Sequence, residues 1–278
     1  MIHSEGTFSG YKGLQIYHQS WVPDTEPHAL ILLVHGLGEH SSRYGNVVDR
    51  LVPKGYAIYA LDHIGHGRSE GARKYADSFS VFTDTLTEYL TKIKAWHPDL
   101  PIYLLGHSLG GLIGATYLLE HQADFAGAVL SAPAFKVVGP VPPLLLMTGK
   151  VLSVLWPTAG IIALNSEAAS RDPAVIEANI NDPLMGRNKT TARLGLEMYY
   201  AMHRIDEEAA TLTLPMLVLQ GTGDMIVDPD GAQAFYDKVS SRQKTLKMYD
   251  GLYHEVFNEP ERDVVLSDLE AWLEEVSQ

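Results

Sequence analysis

Cysteine is absent from all 278 residues. That excludes disulfides, thiolate metal sites and a cysteine nucleophile. Positive charge is also scarce. Twenty-one Lys and Arg stand against 34 Asp and Glu, a net charge of −13 with His neutral. Such a balance argues against a nucleic-acid partner and against electrostatic attraction to anionic lipid headgroups. A neutral substrate fits it better than a polyanion. The opening MIHSEGTFSG has no charged stretch followed by an apolar run, so no secretory signal is read. A cytoplasmic location is expected, with weak hydrophobic contact at a membrane surface as its one extension. The longest apolar tract runs from Val137 to Leu164 with Lys150 its only charge. Pro140, Pro142, Pro143 and Pro157, with Gly149 and Gly160, interrupt it, which argues against a membrane span.

What is present is a chain 46% hydrophobic and 20% charged, enough for a large buried core. Its length suits one large domain or one domain with an insertion. Short apolar runs alternate with helical patterns. Leu14 to Val22, Ala29 to Val34, Tyr56 to Leu61, Ile102 to Leu105 and Ala126 to Leu130 read as strands. Arg43 to Lys54, Phe79 to Trp96 and Leu109 to His121 have helical spacing. From about Phe135 to Ala210 the spacing is helical without a convincing strand. After Pro215 the alternation resumes with MLVLQ, a helix from Pro229 to Val239, a strand from Lys244 to Tyr249 and a C-terminal helix. The expected architecture is α/β: a mostly parallel sheet of about eight strands with helices on both faces. Residues 1–134 and 211–278 would form the core, and 135–210 a helical insertion.

Gly106-His107-Ser108-Leu109-Gly110 lies between a buried strand and a helix. This is the setting of a nucleophile elbow, where small neighbours allow a strained turn to push the Ser108 hydroxyl into a cleft. A serine hydroxyl is a weak nucleophile and needs a base. His254, in GLYHE after the last strand, is the expected base. Asp224, in GTGD after MLVLQ, is the expected acid partner, and the order is that of the α/β-hydrolase elbow proteins. Asp228, just before Pro229, reads better as a helix cap. The tetrahedral intermediate needs amide donors. The backbone N–H of Leu109 is one. That of Leu37, in His35-Gly36-Leu37-Gly38-Glu39-His40, is the other expected.

The 12 histidines raise a metal reading, but His35 and His40, and His63 and His66, lack a metal-binding spacing. No metal and no cofactor is expected. Asn188-Lys189-Thr190 matches a glycosylation sequon and is read as chance.

HGLGEHSSRY from His35, DHIGHGRSEG from Asp62, GHSLGG from Gly106, SRDP from Ser170, NDPL from Asn181, QGTGD from Gln220 and GLYHE from Gly251 stand in one order along nearly the whole chain. In this the chain resembles the monoacylglycerol lipases of the α/β-hydrolase superfamily, in the serine aminopeptidase S33 or lysophospholipase-like group. The resemblance implies hydrolysis of a monoacylglycerol to fatty acid and glycerol beneath a helical cap with an apolar acyl tunnel. It implies that Glu39, Arg43 and His107 surround the glycerol head, with Glu39 bracing the loop through Arg43. Asn179 stands where the animal enzymes carry a tyrosine. Leu145 and Leu146, in the apolar tract, are expected to receive the acyl chain. A lysophospholipase or broad carboxylesterase using the same three residues remains an alternative, and a noncatalytic small-ligand receptor a further one.

Overall fold

The computed structural model describes residues 1–163 and 165–277. Leu164, at the end of the apolar tract, lies outside them. In chain order the elements are β1 (Ile2–Ser9), β2 (Gln15–Val22), β3 (Ala29–Val34), α1 (Gly45–Leu51), β4 (Tyr56–Leu61), α2 (Ser80–Trp96), β5 (Ile102–His107), α3 (Leu109–His121) and β6 (Gly127–Ser131). Then come α4 (Pro143–Leu155), β7 (Gly160–Ile162), α5 (Pro173–Asn181), β8 (Thr190–Thr191) and α6 (Ala192–Glu208). The chain closes with β9 (Met216–Gly221), α7 (Asp230–Lys238), β10 (Lys244–Tyr249) and α8 (Arg262–Val276).

Eight strands form one sheet in the order β1-β2-β4-β3-β5-β6-β9-β10. β1 and β2 pair antiparallel, as do β2 and β4, and the pairs from β4 to β10 are parallel. The α/β expectation is therefore borne out. The ALILLV run is apolar throughout because both sides of β3 are covered. Leu30, Leu32 and Val34 join the cluster that contains residues of α2, α3 and α6, while Ala29, Ile31 and Leu33 join the cluster under α1 and α8.

β6 and β9 are neighbours in the sheet, yet α4, α5, α6 and the short antiparallel β7–β8 pair lie between them in sequence. α6 presents Leu194, Ala201 and Ile205 inward. α4 does the reverse. Leu144, Met147, Val151, Val154 and Leu155 are all more than half exposed, while the less exposed positions are Leu146, Gly149, Leu152 and Ser153. Burying such a side chain stabilises by about 1.5–3 kcal/mol; here the protein leaves that gain unused. Among the described residues no helix is long and apolar enough to cross a membrane.

Candidate active site

β5 ends at His107, and Ser108 takes φ 53°, ψ −119° before α3 begins. A side chain with a Cβ rarely occupies the left-handed region, so the turn holds strain. The residues two before and two after Ser108 must be glycine. A Cβ on Gly106 would stand 2.5 Å from the Gly110 carbonyl oxygen, and one on Gly110 2.0 Å from that of Val34. The turn is held by Ser108 N–H donating to the Ser131 carbonyl (3.0 Å), and by the Ser108 carbonyl accepting from Leu112 (3.1 Å) and Ala134 (3.0 Å).

Asp224 lies in the loop after β9 and His254 in the loop after β10. His254 Nδ1 donates to Asp224 Oδ2 at 2.7 Å, which leaves Nε2 as the acceptor of the neutral ring. Gln220 Nε2 also donates to Oδ2 (3.0 Å), and the N–H groups of Ile226 and Val227 donate to Oδ1 (2.8 and 3.0 Å). Burial works against ionisation of Asp224, but these donors, His254 first, hold its pKa below the usual carboxylate value. Asp228 goes elsewhere. Its carboxylate pairs with Lys136 (2.8 Å) and accepts from Asp230 N–H (3.1 Å) near the start of α7.

Ser108 and His254 line one cavity of about 180 Å³. Among the described residues no hydrogen bond joins the two side chains; in unliganded hydrolases such a bond is often long and tightens with substrate. The His35–His40 loop passes close to the serine: a Cβ on Gly36 would stand 3.1 Å from Ser108 Cβ. His35 braces that loop, with Nδ1 donating to the Gly36 carbonyl (2.8 Å) and Nε2 accepting from His63 N–H (2.9 Å). Among the described residues neither Leu37 N–H nor Leu109 N–H donates to a protein acceptor. Both amides of the sequence reading are thus unengaged beside the elbow. His63 and His66 pack with His35 in a buried ring cluster behind it. Among the described residues no set of three or more His, Asp or Glu side chains is grouped to hold a metal.

One end of the cavity is polar. Glu39 Oε1 accepts from Gly36 N–H (2.5 Å) and from the Tyr44 hydroxyl (2.7 Å). Arg43 reaches Glu39 at 3.4 Å and grips both oxygens of Glu255 at 2.7 Å. Asn258 and Asn179 also donate to Glu255 (2.9 and 3.4 Å). Burial alone would raise the Glu255 carboxyl; Arg43 first, then Asn258, bring it down to about 2. Sequence reasoning missed Glu255, although it follows His254 in GLYHE. Its partner Arg43 is remote in sequence, so only the fold shows the pair. His107 Nδ1 faces the Ser131 carbonyl at 3.1 Å and donates to it when the ring is neutral. Burial, then the neighbouring His254, lowers its pKa to about 4. A neutral His107 presents Nε2 as an acceptor.

The other walls are mainly apolar, built from Ile162, Met185, Met198, Met202, Ile226 and Val227, with Lys136, Asn165 and Thr190 among them. The sequence reading of the acyl wall needs correction here. Leu145 and Leu146 are not among the lining residues, and Leu145 is exposed. α4 packs against α6 through the side bearing Leu146, Gly149, Leu152 and Ser153, so Leu144, Leu145 and Leu155 turn outward, and α6 supplies Met198 and Met202 to the cavity.

A strained serine at the C-terminal edge of a mostly parallel sheet, in one cavity with a carboxylate-bound histidine, defines a serine hydrolase of the α/β-hydrolase fold. Comparison with known proteins narrows the class. The serine aminopeptidase S33 family matches residues 25–261, and the chain belongs to that family. It is 38% identical over 270 residues to a monoacylglycerol lipase of Mycolicibacterium smegmatis, covering 97% of this chain and 96% of that one. It is 34% identical over 265 residues to the monoglyceride lipase of Mus musculus, covering 94% and 87%. The crystal structure of Paleococcus ferrophilus monoacylglycerol lipase superposes with a TM-score of 0.85 at 30% identity, covering 94% of this chain and 98% of that one.

Proposed function

We propose that this chain hydrolyses monoacylglycerols to fatty acid and glycerol through an acyl-enzyme on Ser108. The observation that carries the reading is the two-ended cavity at Ser108: an apolar wall for an acyl chain and a hydrogen-bonding end for a neutral polyol. His254 Nε2 takes the Ser108 proton as Oγ attacks the ester carbonyl. Asp224 holds the tautomer and stabilises the imidazolium. The N–H groups of Leu37 and Leu109 receive the oxyanion. Collapse expels the glycerol oxygen, which takes the proton from His254. Water then repeats the sequence on the acyl-enzyme and releases the fatty acid. Residues 135–210 act as the cap that supplies most of the apolar wall.

The polar end also bears on headgroup. Arg43 is already engaged by Glu39 and Glu255, so the three carry a net negative charge, and Lys136, also on the cavity lining, is paired with Asp228 and Asp230. A phosphate would meet that excess unpaired. This favours glycerol over a lysophospholipid headgroup. Asn179, Glu39 and His107 Nε2 are the groups assigned to the glycerol hydroxyls. The outward leucines of α4 and Trp156 suit shallow insertion at a neutral lipid surface, where such substrates reside.

Turnover of 1-lauroylglycerol, lysophosphatidylcholine and trilaurin should be compared in wild type and Ser108→Ala. Wild type should prefer the monoacylglycerol, and the variant should lose nearly all activity, a roughly million-fold effect in subtilisin. A tenth of the activity remaining in S108A, or a preference for the lysophospholipid, would overturn the reading.

A further inference from the structure

Along β9 the side chains alternate between the two faces of the sheet. Leu217 and Leu219 join the cluster under α1 and α8, while Met216 and Val218 join the one that contains residues of α3 and α6. Gln220 comes next on the second face, where the alternation calls for another apolar residue. It is fully buried. Its amide nitrogen donates to Asp224 Oδ2 at 3.0 Å and to the Gly221 carbonyl at 3.1 Å. Both partners are acceptors, so the nitrogen and not the oxygen must face them. Among the described residues no donor reaches its Oε1. A buried oxygen without a donor is unfavourable, and methionine would fill the slot without one.

The bond to Asp224 reaches the hydrolytic centre. A carboxylate offers about four lone-pair sites. The N–H groups of Ile226 and Val227 fill the two on Oδ1; His254 Nδ1 and Gln220 Nε2 fill the two on Oδ2. The two backbone donors fix the carboxylate without help from Gln220. What Gln220 changes is the charge that Oδ2 offers to His254. A second donor on that oxygen withdraws charge from it, so the carboxylate holds an imidazolium less tightly. A general base must be unprotonated to act. The other titratable groups around His254 are His107, whose ring centroid lies 4.9 Å away, and Glu39, Arg43, Glu255 and Lys136, which line the same cavity. Among the described residues Gln220 bonds to none of them.

We propose that Gln220 is a positioning residue of the hydrolytic centre, its amide sharing Asp224 Oδ2 with His254 so that the histidine stays free to accept the Ser108 proton. It acts through Asp224 and is not part of the cavity lining. This rests on the assignment of Ser108, Asp224 and His254 above.

Gln220→Met keeps the length of the side chain and removes the donor. The acid limb of kcat/KM for p-nitrophenyl butyrate reports the base of the free enzyme. In Q220M it should move to higher pH, with the proton bound about three- to tenfold more tightly, the effect of one hydrogen bond of ordinary net strength. KM above the limb should be unchanged. A purely structural amide would leave the limb of folded Q220M where wild type has it, and that result overturns the proposal. So does a limb that moves to lower pH, since the amide would then strengthen the hold of Asp224 on His254. Gln220→Leu repeats the comparison if Q220M does not fold; failure of both to fold would assign the amide to stability and also overturn it. Asp224→Asn, measured alongside, tests the underlying reading separately. If it keeps wild-type activity, the Asp224 assignment fails, whatever Q220M does.

Discussion

Replacing Arg43 by Met removes the cation from a buried group of three charges. Glu39 and Glu255 are then left facing each other's side of the cavity with no counter-ion. A carboxyl held at about 2 rather than 4.5 reflects about 3 kcal/mol of favourable interaction at neutral pH. Deleting one partner of a buried ion pair typically costs about 3–5 kcal/mol, so two independent routes agree. The pH dependence should invert. In wild type the depressed Glu255 contributes stability that is fully present above pH 4.5 and is lost as pH falls through about 2. In the variant the bare carboxylates take up protons more readily than in the unfolded chain. Its stability should therefore rise as pH is lowered from 7 toward 5, where wild type stays level with respect to Glu255. Urea unfolding followed by tryptophan fluorescence at both pH values measures this. A loss under about 1 kcal/mol at pH 7 would refute the argument. So would a variant whose deficit does not shrink at pH 5.

Two further outcomes follow from the geometry. Asp224→Asn should lower kcat by about four orders of magnitude, because the amide cannot hold the imidazolium as the carboxylate does; Asp228→Asn, which loses a half-exposed pair with Lys136, should cost less than about twofold, and equal losses would remove Asp224 from the catalytic group. Changing Val154 and Leu155 to Ser should weaken partitioning onto zwitterionic vesicles by at least about tenfold, independent of salt, and spare hydrolysis of dissolved short esters; unchanged partitioning, or strong salt dependence, would show that α4 does not meet lipid.

The buried strands were legible to within a residue or two because apolar runs bounded by turns have few other uses. β3 and β4 match the sequence reading end to end. β1 was missed. It is an exposed edge strand, and IHSEGTFS carries no alternation to betray it. β7 and β8 are too short to show a period. At the site, Gly-x-Ser-x-Gly was readable because crowding by Gly110 and Val34 leaves no alternative to glycine. Glu255 was not, since it is defined by a contact between distant segments. α4 shows the limit most clearly. Its spacing announces an apolar helix, but periodicity cannot say whether the apolar side meets protein or solvent.

The adjacency of β6 and β9 has a consequence for how the molecule can change. Residues 132–215 leave the sheet and return beside their point of departure, as the Ala128–Met216 pairing shows. The entropy of closing such an excursion grows only with the logarithm of its length, about 0.6 kcal/mol for each doubling. α6 keeps one side in the core, and Ala169, Asn179, Asp182 and Gly186 are bonded to Glu255, His40 and Gly38, so among the described residues the stretch without such ties to the loops of the sheet is 138–160. Lengthening or exchanging it burdens the sheet little, and the loops bearing Ser108, Asp224 and His254 need not move. The outward-facing α4 can therefore be exchanged as a cassette while the loops of the hydrolytic centre keep their contacts.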